Sequence, residues 1–393
     1  MALLDSVDDL DVPFSNTGIW KMSTIKIPMP CECQKFSSED DARHLHICGI
    51  HHCSICEVMR SAAQDDSAKS WHHIPFKLYW KLSPDSMPQR VVSELYTADM
   101  FLEEDQKIAS LPLCLADDPP DLFPVKNTIF AIMLWSDSTH LANFSDASMW
   151  PIYFYSGNQS KYPRGRPTQH AAHHIVHIPS LPDDFEDIYM KKYGKPPSKS
   201  VITHMKRKII QKVWELLLDD KFMRAYQHGI IIRCADIIVC RFFPCFFTYS
   251  VDYPEKVIIA AIHQLALCPS PQTLMPKKYI SGLGTRVDEQ RRQHLRLDDV
   301  AHRDQVEAAQ ELIFVHGIGV TGAYVEERLQ NQSLTLTQST FSKKLSEFGF
   351  NYFDMLISDL LHEIELGNWK AVFMHLMRIL HLVKNAIPTL NKR

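Results

Sequence analysis

The chain has 393 residues, of which 45% are hydrophobic and 22% charged, with a formal net charge of −4. That length supports two or three domains around a sizeable core, and the composition is globular rather than disordered. The charge excludes a uniformly basic nucleic-acid coat, although a local basic patch is compatible with it.

No apolar run reaches membrane-spanning length, and the acidic start MALLDSVDDLDVPF is unlike a secretory signal. A soluble intracellular protein with no membrane partner is therefore expected. Five of the ten cysteines, Cys31, Cys33, Cys48, Cys53 and Cys56, fall within 26 residues and are mixed with His44, His46, His51 and His52. In a reducing compartment such a cluster suits Zn²⁺ better than disulfides. Cys31-Glu-Cys33 followed by His44, His46 and Cys48 looks like a finger with a worn first knuckle. Cys53-Ser-Ile-Cys56 has the two-residue gap that zinc sites favour. Residues 1–60 thus read as a Cys/His-rich segment holding at most one structural Zn²⁺, with Cys31, Cys33, His44 and Cys48 as candidate ligands. A tail with unused thiols is the alternative. Residues 61–125 read as a connector that ends near the double proline of Leu115-Ala-Asp-Asp-Pro-Pro-Asp121.

An apolar strand, IFAIMLW, follows over Ile129–Trp135 and ends in Ser136-Asp137. A carboxylate there either caps a turn, pairs, or binds a metal, because burying it alone is costly. Trp150–Tyr155 reads as a second strand. His173–Ile178 reads as a third, its histidines expected to be half-buried strand residues rather than metal ligands. Val201, Met205, Ile209, Val213 and Leu217 recur every fourth residue, which predicts an amphipathic helix over Val201–Leu218. Gly229–Cys240 and Arg241–Val251 read as two further strands. Asp252 closes the second, and Pro254 can start a helix. Asp236, in the middle of the preceding run, is its rival. Residues 266–350 read as a helical insertion. Met355–Val383 reads as a closing helix whose apolar face, Trp369, Val372, Leu376, Ile379 and Val383, extends back to Glu365. Glu363 lies about 200° from that face, and Asp359 sits near the helix start.

Strand, strand, strand, helix, strand, helix, with acids ending the first strand and a later one, is the order of an RNase H-like core within a mixed α/β fold. Residues 126–265 would form its first part and residues 351–393 its closing helix. Two adjacent carboxylates need a cation between them. Oxygen ligands select Mg²⁺ or Mn²⁺, and a metal pair about 4 Å apart would activate a water or hydroxyl against a phosphodiester.

Four blocks carry a family resemblance: WSDSTHLANFSDASMWPIYFYSGNQSKY, HHIVHIPSLPDDFEDIY, FFTYSVDYPEKVIIAAI and FGFNYFDMLISDLLHEIELGNWKAVFMHLMRIL. In this order they resemble the Plavaka-type transposases of fungi, DDE enzymes related to the CACTA and Kyakuja–Dileera–Zisupton groups. The finger-like start also resembles that family's N-terminal segment. The resemblance implies Asp137 as the first catalytic acid and Asp252 as the second, with Asp236 as the alternative. It implies Glu365 as the third, with Glu363 and Asp359 behind it. Asp137, Asp252 and Glu365 would then hold Mg²⁺ or Mn²⁺. DNA, both transposon ends and target, is the implied partner, and the nucleus the implied location; self-association stays open. There are departures from the pattern. CPSPQT stands where the family carries a Cys-rich knuckle, so Ser270 and Thr273 replace thiolates and no four-ligand zinc site can form there. The segment after Asp252 is accordingly expected to be loosely held. The chain also stops at Asn391-Lys-Arg393, soon after the acidic helix. These features suggest a decayed or truncated copy. Two classes stay open: a transposase that hydrolyses a phosphodiester and joins the freed 3′ hydroxyl to target DNA, and a non-catalytic relic that binds zinc or nucleic acid.

Overall fold

Eight strands pair into one mixed sheet in the computed structural model, which describes residues 20–113, 125–140, 148–383 and 386–387. The expected boundary at 115–121 lies outside the described residues. The strands are β1 (Trp20–Pro28), β2 (His44–Cys53), β3 (Lys126–Ser136), β4 (Pro151–Ser156), β5 (His173–His177), β6 (Ile230–Arg233), β7 (Val239–Ser250) and β8 (Leu356–Ile357). Their order is β1-β2-β5-β4-β3-β7-β6, with β8 also paired to β7. β3, β4 and β5 form an antiparallel meander. β7 runs parallel to β3, and β8 parallel to β7.

The central strand explains why the sequence shows an unbroken apolar run there. A strand covered on both faces has no solvent side to make polar. Phe130, Ile132 and Leu134 join the main core with Trp214 and Phe246. Ile129 and Ala131 face a second, smaller cluster with Tyr96, Phe101, Ile108, Phe243 and Phe247. The stretch read as a connector therefore covers a face of the sheet, through the helix Asp99–Ala109. On the other face the expected amphipathic helix spans Lys199–Leu217 and buries Val201, Met205, Ile209, Val213 and Leu217. Lys208, on its basic side, is itself buried and paired with Glu39 at 2.6 Å.

The pairing of β3 with β7 contains a register shift between Phe246 and Thr248. Phe246 lies opposite Ile132 and Thr248 opposite Met133, so β7 carries one extra residue, Phe247. This is a bulge in a parallel pair, where bulges are rare.

Three stretches differ from the sequence expectation. The Cys/His-rich stretch is not a separate finger: β1 and β2 form a hairpin that joins the main sheet where β2 pairs with β5. The Pro-, Asp- and Lys-rich stretch 181–200, which reads as a loop in the sequence, contains a helix, Phe185–Tyr193. Tyr189 and Tyr193 there donate to the carbonyls of Pro30 and Met29, each at 2.8 Å, and so fix the end of β1. Gly229–Cys240 is not one strand either. It breaks into a turn over Cys234–Ile238 between β6 and β7, with Ile237 in the left-handed region at φ 71.

The insertion is helical, with helices Arg286–Arg292, Val300–Phe314, Ala323–Leu329 and Thr340–Leu345. Its CPSPQT segment is held firmly, contrary to expectation. Arg296, 2% exposed, donates Nε to the carbonyl of Ser270, Nη1 to that of Gln332 and Nη2 to that of Cys268, at 2.8, 2.7 and 2.7 Å. A fixed planar fork of donors ties the 268–270 stretch to Gln332 where thiolates are missing.

The closing helix is π-helical over Leu360–Trp369 and α-helical over Lys370–Leu382, and none of its side chains is buried. The i→i+5 bonding of a π-helix changes the angular step between residues, so the α-helical phase drawn from Trp369 back to Glu365 does not hold. No helix among the described residues is long and apolar enough to cross a membrane.

Arg296→Leu would leave three carbonyls, one buried and two partly buried, without their donor, each at a cost of about 1–3 kcal/mol. Urea unfolding of this variant should show a loss of about 3 kcal/mol or more. An unchanged midpoint would show that the guanidinium does not hold the segment.

Candidate active site

The last pairing of β3 with β7 sets Trp135 opposite Ser250. Asp137 and Asp252 each lie two residues further on, so both acids leave neighbouring parallel strands at the same end of the sheet. Asp252 caps the helix Tyr253–Ile259, its Oδ1 accepting from the Glu255 amide at 2.9 Å. Pro254 occupies the first turn of that helix, where a missing N–H costs nothing. Asp137 is exposed, and Asp252 is half-buried.

Beneath this pair sits a third carboxylate that the sequence reading missed. Glu255 is 5% exposed. The Ser136 hydroxyl donates to its Oε1 and lies 3.1 Å from the Tyr249 hydroxyl. Burial pushes the Glu255 carboxyl up to about 7; the Ser136 bond opposes the rise, while the charges of Asp252 and Asp137 add to it. The signal was present in the sequence: Asp252-Tyr-Pro-Glu255 spaces a cap and an acid as a capping box does.

The start of the closing helix faces the same place. Lys256, 3% exposed, forms an ion pair with Glu363. Asp359 caps the helix, accepting from the Leu361 amide at 2.9 Å, and its Oδ2 lies 2.6 Å from His362 Nδ1. That bond to Asp359 raises the His362 pKa, and the charges of Asp359, Asp137 and Asp252 act in the same direction. Burial alone would raise the Asp359 carboxyl, but the hydrogen bonds from His362 and Leu361 outweigh it and hold the group below its usual range. Asp137, Asp252, Glu255, Asp359, His362, Lys256 and Glu363 thus belong to one electrostatic neighbourhood.

Asp236 is in the turn before β7, where its Oδ1 accepts from the Ile238 amide at 3.1 Å. The whole of β7 separates it from Asp252. Glu365 is exposed, and its backbone carbonyl accepts from the Lys370 amide. In the N-terminal cluster, Cys31 is buried, Cys33 and Cys48 are exposed, and Cys53 and Cys56 are packed into the core. Burial raises the Cys53 thiol to about 12 and the Cys56 thiol to about 11. Burial also leads the causes that lower the His44 pKa. Among the described residues, no three His, Cys, Asp or Glu side chains are grouped so that they could hold a metal ion.

Comparison with known families places the chain in the transposase class. The Plavaka transposase model matches residues 2–378, and the chain belongs to that family. No curated protein matches it. Family membership supports a transposase-like function.

Glu255 gives the site a pH signature. Its folded pKa, about 7, lies above the usual 4.5, so folding favours the protonated form. Stability from this group is present below about pH 4.5 and is lost as pH rises through about 7, by about 3 kcal/mol at 1.36 kcal/mol per unit. In chelated buffer, Glu255→Gln should flatten the fall in stability between those pH values. Parallel curves for the variant and the wild type would contradict the arrangement.

Proposed function

We propose that the chain is a DNA transposase with an RNase H-like core that hydrolyses a phosphodiester at an element end and transfers the freed 3′ hydroxyl to target DNA. The observation that carries this reading is the level placement of Asp137 and Asp252 beyond β3 and β7. The order β5-β4-β3-β7-β8, antiparallel in its first three strands and parallel in its last two, supports the same core.

The donor chemistry fits a hard divalent cation. Asp137 and Asp252 offer only oxygen, and their charges already disfavour ionisation of Glu255. A surplus of negative charge of this kind is relieved by an ion such as Mg²⁺ or Mn²⁺. Asp137 and Asp252 would hold it. When bound, such an ion would supply Lewis-acid activation of the attacking hydroxyl. The protein's own groups have separate tasks. Glu255, its pKa raised to about 7, can hold or release a proton near neutral pH. His362, biased toward its cationic form, offers positive charge to a DNA phosphate. Lys256 fixes Glu363 beside the pair. We assign Glu363 as the third acid, with Asp359 acting through His362; Glu365 is the competing assignment.

The test is Mg²⁺- or Mn²⁺-dependent cleavage of DNA bearing the element's ends. Asp137→Asn and Asp252→Asn should each slow cleavage about a hundredfold or more, equivalent to about 2.7 kcal/mol. Asp236→Asn should leave the rate unchanged, and Glu363→Gln should cost more than Glu365→Gln. DNA binding by the wild type without any cleavage would overturn the proposal in favour of a non-catalytic relic.

A further inference from the structure

A cavity of about 570 Å³ opens beside the start of the helix Lys199–Leu217. None of the strand-end acids lines it. His263, on its wall, lies beyond the far end of the short helix that Asp252 caps. The segment Ser333–Thr337 lines it as well.

Some of the polar groups on these walls are engaged within the protein. Thr203 Oγ1 donates to the Lys199 carbonyl, and Thr335 Oγ1 to that of Ala261. Two buried groups are not. His204 is 3% exposed and its Nε2 has no partner; Thr337 is 1% exposed and its Oγ1 has none. Burial, helped by Lys208 and Arg207, drives the His204 pKa down to about 3, so the ring is neutral. Native proteins rarely leave such atoms unpaired unless something binds them. The half-buried Arg207 guanidinium also lines the cavity, and no hydrogen bond or ion pair engages it among the described residues. Exposed Lys199 stands at the mouth, and Glu326 is the one carboxylate on the wall.

We propose that this cavity binds a phosphate group, with Arg207 and Lys199 supplying charge and His204 and Thr337 supplying hydrogen bonds. Arg207 and His204 stand on the helix Lys199–Leu217 and Thr337 on a separate segment, so the lining offers donors from two parts of the chain to one anion. The phosphate belongs either to a DNA backbone held away from the acid pair or to a soluble nucleotide; the volume has room for a sugar and base.

The experiment uses the full chain with three probes: inorganic phosphate, AMP and a short DNA duplex. Binding is followed by thermal shift and calorimetry for the wild type, Arg207→Gln, Thr337→Val and Glu326→Gln. A soluble source predicts that phosphate or AMP raises the wild-type Tm. The shift is then lost in Arg207→Gln and Thr337→Val and enlarged in Glu326→Gln. A backbone source predicts no shift with the small probes, but weaker duplex binding in the first two variants. The salt dependence of Arg207→Gln should then also be shallower by about one counterion. Thr337→Val exchanges an unpaired hydroxyl for a methyl, so it folds at least as well without ligand and separates binding from stability. If all variants bind all three probes as the wild type does, or the wild type binds none of them, the proposal fails. Asp137→Asn should respond to phosphate and AMP as the wild type does while losing cleavage, so loss of cleavage and loss of this site are distinguishable.

Discussion

Two parallel strands covered on both faces cannot slide past each other without bringing apolar side chains to the surface, and β3 and β7 are such a pair. Phe130, Ile132 and Leu134 are committed to one cluster, and Ile129, Ala131, Phe243 and Phe247 to the other. A slip by one residue would send each set to the wrong side. The packing therefore fixes the register, and the register fixes where the chain leaves the sheet. Asp137 and Asp252 are placed by core packing rather than by any bond between them.

The charges around those acids are arranged in counterpoise. Carboxylates outnumber cations, and burial keeps Glu255 close to neutral. Lys256, buried in the first turn after Asp252, reaches across to Glu363 and ties the closing helix to the sheet. Removing one member of a buried pair strands the other, so this contact links the position of the helix start to the charge state of the site. The rest of that helix has no buried side chain, which makes its attachment at this end the more important.

How far the sequence could be read depended on whether the deciding contact was local. The run Ile129–Trp135 and the fourfold spacing of Val201, Met205, Ile209, Val213 and Leu217 each carry their structure within one window. So does the switch at Asp252, where a cap and Pro254 sit side by side. The N-terminal hairpin was hidden because Cys and His fill positions that Val or Thr would occupy in an easily read strand, and buried Cys behaves as a small hydrophobe. Its partner β5 lies more than a hundred residues away, and nothing nearby announces it. The turn at Cys234–Ile238 was masked by Ile237, a β-branched residue in the left-handed region, where such residues are rare. Glu363 and Glu365 could not be ranked from an assumed α-helical phase in a π-helical segment. Arg296 was equally out of sight, because its three partners come from segments 26 to 36 residues away.

The extra residue at Phe247 acts as a vernier. With unbroken pairing after Phe246, Tyr249 rather than Ser250 would lie opposite Trp135, and Asp252 would emerge one step further along than Asp137. One step is roughly 3.3 Å, and it reverses the direction of the side chain. The bulge takes up that step inside the sheet, so the two acids leave level. A length change of one residue in a surface loop would be absorbed there, but the same change between Phe247 and Asp252 would be delivered undiminished to the acid pair. Within this family, gaps in that short interval should be far scarcer than substitutions.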